Sequence, residues 1–299
     1  MIIFSIFAAV VQRTRERTRP IFNQFDNDTN GDQVRIHLLA IASIFIIILP
    51  IIVAIIVSTK ESGIVTSVTE LVPGTSGSAN YQRAVFELGF WRFMLNSFIM
   101  SMIIVVGKIF VSLLAALAIV YYRLPYKNLI FLFILFTLLL PVPVRFVPLY
   151  RLAVDIGWNN SFLAITVPYI ASATTVFILR QHFLSISESL VETAKIDGVG
   201  PIRFLTSVLI PMSRGILIGV SVIMFVFAWN QYLWPLVIID TEGQQVAQVG
   251  LNILRGQASS GEVAWSMVMT GSVLTLVPPL ALLIIFRNAL IETFTIQQK

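Results

Sequence analysis

The sequence predicts an all-α polytopic membrane protein with six transmembrane helices and a helix-turn-helix loop on the cytoplasmic face. Three observations carry this. Charged residues make up 12% of the 299 residues and hydrophobic ones 57%, against about 25% charged in soluble domains. Mean hydropathy is +0.88. The apolar residues are gathered into six runs, each near the ~20 residues that cross a bilayer as a helix.

The runs are Ile36–Ser58, Phe93–Tyr121, Asn128–Leu149, Phe162–Gln181, Ile216–Ile239 and Trp265–Leu290. The second is long enough to tilt or to begin outside the membrane. The third carries Pro141, Pro143 and Pro148, so a helix there ends or kinks near Leu140. Ahead of the first run, residues 1–35 form a separate tail. Ile2 to Val11 is apolar and is followed by Arg13, Arg15, Arg17 and Arg19. A secretory signal has its charges first, and about ten residues are too few to span. An in-plane helix followed by a polar linker, Asn23–Asp32, is the expectation.

Charge placement sets the orientation. With the N-terminus in the cytoplasm, residues 13–35, 123–127, 180–214 and 287–299 hold thirteen Lys and Arg. The outer loops hold six: Lys60, Arg83, Arg92, Arg145, Arg151 and Arg255. Both termini are therefore expected in the cytoplasm of a multi-pass plasma (inner) membrane protein. Two connections are long. Thr59–Arg92 lies outside and has the length for a small cap; residues 183–214 lie inside.

Composition also excludes. There is no cysteine and there are two histidines, His37 and His182, so neither a disulfide framework nor a thiolate or histidine-rich metal centre is available. Basic residues are scattered over loops, which argues against nucleic-acid binding. His182 ends span four beside Arg180 and reads as an interface residue.

The inner loop carries the strongest pattern. It reads Glu192-Thr193-Ala194, three residues, Gly198, nine residues, then Val208-Leu209-Ile210-Pro211. Ser187 to Ile196 suits a helix, with Ser189 as N-cap and Glu192 closing a capping box. Gly198 is placed to end it, Pro201 to open a second short helix, and Pro211 precedes span five. Such an elbow can seat in a partner and pass on rigid-body motion.

This pattern resembles the EAA loop of binding-protein-dependent ABC importer permeases, with Thr193, Val208 and Ile210 as the departures. Trp229-Asn-Gln-Tyr-Leu-Trp-Pro235 resembles a motif of the carbohydrate-type permeases. Asn96-Ser97, Leu140 to Arg145, Leu179 to Phe183 and Leu274 to Pro279 fit the same family, from about residue 36 to the C-terminus. Within it, Phe90 to Ser97, Gly107 to Ile109, Ala118 to Arg123 and Trp229 to Leu236 are most similar to glycerol-3-phosphate importer permeases; sugar permeases share most of these segments. The resemblance implies that Glu192, Ala194, Asp197, Gly198 and Pro211 couple this chain to an ATPase. It implies as partners a homologous second permease, two ATP-binding subunits and an extracytoplasmic binding protein. The solute implied is glycerol-3-phosphate or a glycerophosphodiester, with a maltose- or trehalose-type sugar as the alternative.

Candidate path residues are Lys108, Trp229, Asn230, Gln231 and Tyr232. A lysine in mid-span costs roughly 2.5–3.5 kcal/mol on insertion scales. Lys108 is either a phosphate contact or a structural lysine bonded to carbonyls or to a partner subunit. Amides beside aromatic rings suit a polyol; the same residues also serve as interhelical glue. Arg145, after a proline-broken span, reads as a headgroup or partner contact.

Nothing in the sequence looks catalytic. Gly107-Lys108 lacks the upstream glycine and the Ser/Thr of a phosphate loop, so ATP and Mg are expected in partner subunits and no cofactor in this one. A proton- or sodium-coupled carrier would need intramembrane carboxylates. The fifteen Asp and Glu fall in loops or tails, with Asp240 at a span edge.

Overall fold

The structure is a computed structural model and describes residues 30–61, 71–256 and 264–295. The in-plane helix expected at Ile2–Val11 and most of the Asn23–Asp32 linker lie outside the described residues. The chain divides into two compact units, Met1–Val53 and Ala54–Lys299. What is described of the first is helix: α1, Asn30–Ser58, starts six residues before the predicted span and carries Pro50 within it.

In the second unit the described elements are all helical. Among all the described residues, four helices, Val34–Ser58 included, are long and apolar enough to cross a membrane, and up to six spans result when each of two bent pairs counts as one. α2, Gly77–Gln82, runs into a π turn, Arg83–Glu87. The described part of the loop between spans one and two folds onto the end of α1. Asn80 Nδ2 donates to the carbonyls of Ser58 (2.8 Å) and Lys60 (2.7 Å), and the Gly74 N–H donates to Thr59 Oγ1 (2.8 Å). α3, Phe90–Tyr121, has 32 residues, about 48 Å at 1.5 Å per residue. That exceeds the ~30 Å hydrocarbon core, so it tilts or projects.

The third span breaks near Leu140, where its prolines predict, and the fourth and fifth depart from the continuous helices expected. The third is α4, Lys127–Phe136, two 3-10 turns, and α5, Phe146–Asp155, with a 95° bend between its halves. Pro141 and Pro143 lie in the break, as the absent proline N–H requires. The fourth is α6, Phe162–Thr166, a 3-10 turn holding Pro168, and α7, Ala173–Leu184. Ser172 restarts it by accepting the Thr175 N–H (3.3 Å). The fifth stops early: α10, Arg214–Trp229, ends at Asn230, and α11, Leu233–Ile238, resumes after it. The sixth, α13, Trp265–Ile285, ends before Leu290 and is followed by α14, Arg287–Thr295.

Between spans four and five lie α8, Glu188–Ile196, and α9, Pro201–Met212, the latter with a π turn at Leu205–Leu209. The π turn directly precedes Pro211, whose ring and missing N–H exclude a regular i−4 bond. α12, Ala247–Gly256, follows span five. α3 is the central post: α7, α10 and α12 pack on it. The main core joins Leu113, Ala116 and Leu117 of α3, Leu179 and Phe183 of α7, Phe204 and Leu209 of α9, and Ile216, Val220, Met224 and Phe225 of α10.

Two prolines in spans four and six leave orphaned carbonyls, and two tryptophans take them up. Pro279 cannot donate to Thr275, and Pro168 cannot donate to Ala164. Trp229 Nε1 donates to the Thr275 carbonyl (3.0 Å), and Trp234 Nε1 to the Ala164 carbonyl (2.9 Å). Both indoles are fully buried.

Candidate functional site

Two regions gather the residues singled out in the sequence. At the elbow, the N-cap of α8 is Ser187, not Ser189, and its side chain caps no helix N–H. Its Oγ bonds instead to Ser189 Oγ (2.6 Å), so the expected capping box does not form. The C-terminus behaves as the glycine predicts. Gly198 has φ +67°. Its N–H donates to the Lys195 carbonyl (3.1 Å), and the Val199 N–H donates to that of Ala194 (2.9 Å). Together these form a Schellman cap. Gly200 is then the N-cap before Pro201 at the first turn of α9.

The elbow has an inner and an outer face. Val191, Ala194 and Val199 pack on the main core. Glu192, Asp197 and Gly198 are exposed, and Ile196 is 85% exposed at the tip. α9 meets α10 at an 83° bend, where buried Ser213 donates its hydroxyl to the Leu209 carbonyl (2.6 Å). Pro211 is half-buried just before that bend. Leu117, Tyr121, Val191, Ala194, Lys195 and Phe204 line a cavity of about 190 Å³ beneath the elbow. Tyr121 meets Phe204 edge-on at 5.4 Å. The elbow is thus tied by its core to spans two, four and five, and presents a mixed acidic and aliphatic outer face.

The second region is the break in span five. Trp229, expected among the path residues, lies in the packed core, stacked on Phe225 at 5.6 Å and bonded to span six. Asn230 caps α10 by donating Nδ2 to the Val226 carbonyl (2.9 Å), and its side chain is exposed. Its Oδ1 accepts from Gln248 Nε2 (3.1 Å). The Tyr232 hydroxyl accepts from Asn252 Nδ2 (2.6 Å). Gln231 is buried, and both polar atoms of its amide lack a hydrogen-bond partner. Gln248 and Asn252 were not singled out in the sequence. Their i,i+4 spacing on one helical face is the signal that could have found them.

The loop leading into the helix of Gln248 and Asn252 is held from span two. Buried Asn96 donates Nδ2 to the carbonyls of Gly243 (3.0 Å) and Gln245 (2.9 Å), and Ser97 Oγ accepts the Ala247 N–H (2.8 Å). Asn160, in the left-handed region at φ +55°, accepts the N–H groups of Asp240 and Thr241 on Oδ1 (both 3.1 Å).

Lys108 lies between α3 and α10 and is 4% exposed. Among the described residues it is the only buried charged side chain. Its Nζ meets Met224 Sδ at 3.8 Å and the Phe227 ring at 4.6 Å. Met224 and Phe227 precede Asn230 by six and three residues, which puts the ammonium about 5–9 Å along the helix from Asn230. Arg145 is exposed after the break in span three. His182 has neither ring nitrogen hydrogen-bonded, and Arg180 stacks on Phe131 at 4.1 Å. Among the described residues no three His, Asp or Glu side chains are close enough to hold a metal ion.

Residues 108–294 match the family of binding-protein-dependent transport system inner membrane components. The sn-glycerol-3-phosphate transport system permease protein UgpE of Salmonella typhi is 38% identical, over 88% of this chain and 96% of that one. The UgpE proteins of Escherichia coli K12 and Rhizobium meliloti are each 36% identical, covering 96% and 95% of their own lengths. Among solved structures, a chain of a bacterial ABC transporter involved in the import of the acidic polysaccharide alginate superposes with TM-score 0.75 at 21% identity. It covers 87% of this chain and 98% of that one, and shares the fold.

Proposed function

The chain belongs to the family of binding-protein-dependent transport system inner membrane components, and from that membership we propose that it forms the translocation path for sn-glycerol-3-phosphate. As an ABC importer permease it crosses the inner membrane. The substrate reading is supported by the names of relatives that match nearly end to end. One observation on this chain carries it. Span five stops at Asn230, and the polar pairs Asn230–Gln248 and Tyr232–Asn252 stand there, with Asn230 and Asn252 exposed and Tyr232 and Gln248 half-buried. Irregular backbone at membrane depth survives only where protein buries it or a water-filled cavity meets it, and transporters place their solute sites at such breaks. Amides and a phenol offer the donors and acceptors that glycerol hydroxyls need.

A homologous second permease closes the path on its other side. Two ATP-binding subunits take the elbow through Glu192, Ala194, Asp197, Gly198 and Pro211, and hydrolysis stays in those subunits. An extracytoplasmic binding protein delivers the solute. Both termini lie in the cytoplasm. The chain has no cysteine, so single cysteines report the orientation: Ser78→Cys should react with an impermeant reagent from outside intact cells and Ser187→Cys should not.

The test of the substrate is uptake by the assembled complex in proteoliposomes. ATP-dependent accumulation of sn-glycerol-3-phosphate, with little maltose or trehalose uptake, is expected. Sugar uptake without glycerol-3-phosphate uptake overturns the reading.

A further inference from the structure

We propose that Phe227 is a ring gate over a phosphate-binding ammonium at Lys108, so that the phosphate of the solute displaces the ring to reach the cation. The inference rests on the substrate reading above and adds the residue that selects the anion and the residue that guards it.

The first ground is the chemistry around Lys108. An ammonium carries three donors. Here its neighbours are a thioether and an aromatic face. A thioether is a weak acceptor, and a ring face attracts a cation without accepting a directed bond from an oxygen lone pair. Among the described residues no carboxylate pairs with it. Buried charges are ordinarily paired with an oxygen acceptor. A cation kept on two soft partners can give them up to a phosphate oxygen, which forms a charge-assisted bond.

The second ground is access. Lys108 is 4% exposed, yet the ring covering it is 50% exposed. The gate is one side chain thick. Phe227 also shares a helical face with Asn230, three residues on. The half-buried Ile223 lies on that face one turn earlier. The exposed Asn230 amide and the covered cation are thus about one turn apart, roughly 5 Å of helix. A three-carbon phosphomonoester can place a hydroxyl on Asn230 and its phosphate on Lys108 when the ring turns aside. A neutral sugar offers nothing to draw the ring from the ammonium, so the gate favours anions.

Two readouts on the assembled complex test this. The first is labelling of Lys108→Cys by an anionic methanethiosulfonate, with no other cysteine present. Adding Phe227→Leu should raise the rate about tenfold or more, since the leucine is shorter and lacks the ring; Phe110→Leu, an exposed ring on the helix that carries Lys108, should leave it unchanged. Equal rates with and without Phe227→Leu overturn the gate. The second is uptake. Lys108→Met should raise KM for sn-glycerol-3-phosphate about tenfold or more, as loss of a charge-assisted bond does. Phe227→Leu should lower KM in the native background and leave it unchanged beside Lys108→Met. An unchanged KM in Lys108→Met, or the same shift from Phe227→Leu in both backgrounds, overturns the pairing. If the native complex transports no sn-glycerol-3-phosphate, the substrate reading falls, and the labelling arm still decides whether Phe227 guards residue 108.

Discussion

The Tyr121 hydroxyl donates to the Phe183 carbonyl at 3.0 Å, joining the C-terminal end of span two to the C-terminal end of span four. The same ring lies 5.4 Å from Phe204 in α9 and lines the cavity beneath α8. One side chain therefore connects two spans with both halves of the elbow. Tyr121→Phe removes one hydrogen bond, worth about 1 kcal/mol, and keeps the ring contacts. Tyr121→Ala removes those too and enlarges the cavity, at about 3–5 kcal/mol. ATPase of the assembled complex with and without loaded binding protein should show stimulation kept in Tyr121→Phe and lost in Tyr121→Ala. Equal stimulation in both would remove this junction from the coupling route.

Gly198 gives a sharper test of the elbow. A Cβ added there meets nothing within 4 Å, so space does not restrict the position. Its φ of +67° does. A non-glycine residue pays about 1–2 kcal/mol in that region, with asparagine the usual exception and β-branched residues the worst case. Gly198→Asn should keep most substrate-stimulated ATPase, and Gly198→Val should lose it. Similar loss in both would point to a side-chain clash with a partner and not to the backbone.

Asn96 holds the loop that leads into the helix of Gln248 and Asn252. Asn96→Leu strands the carbonyls of Gly243 and Gln245, at about 1–3 kcal/mol for each buried group left unpaired. The cost should appear as a loosened loop. A cysteine at position 248 should react severalfold faster with a thiol reagent in the Asn96→Leu background. An unchanged rate would mean that Ser97 and its bond to the Ala247 N–H suffice.

Much of this was legible in the sequence because the bilayer is a strict solvent. Apolar run length located the spans, and the glycine and proline spacing located the elbow. Gly198, Pro201 and the break at Pro141–Pro143 act where local chemistry places them. The stop at Asn230 was passed over. Pro235 cannot donate to the Gln231 carbonyl and is the local signal for it, while the bond from Gln248 to Asn230 is tertiary and no local pattern reveals it. The capping box at Ser189 failed because the helix starts two residues earlier than expected, at Glu188, and the Ser187 and Ser189 hydroxyls bond to each other. Trp229 read as a path residue by its neighbours in sequence. What fixes it is a carbonyl 46 residues away, which no local pattern reveals.

That carbonyl yields a prediction about why the two tryptophans flank the break. Thr275 would normally accept from residue 279, and proline there cannot donate. The indole of Trp229 supplies the missing bond in a buried setting. Trp229→Phe keeps an aromatic ring against Phe225 but leaves the carbonyl unpaired, at about 1–3 kcal/mol. The purified complex should melt at a lower temperature while KM for the solute stays put, because the indole faces span six and not the exposed amides. Asn230→Leu should do the reverse, shifting KM with little change in melting, since its amide is exposed. The decisive variant restores the donor. Pro279→Ala returns an N–H that can bond to Thr275 within the helix. Beside it, Trp229→Phe should cost clearly less than it does alone. A double-mutant cycle on melting reads that coupling. An additive result would show that the indole's packing, and not its hydrogen bond, holds span five to span six.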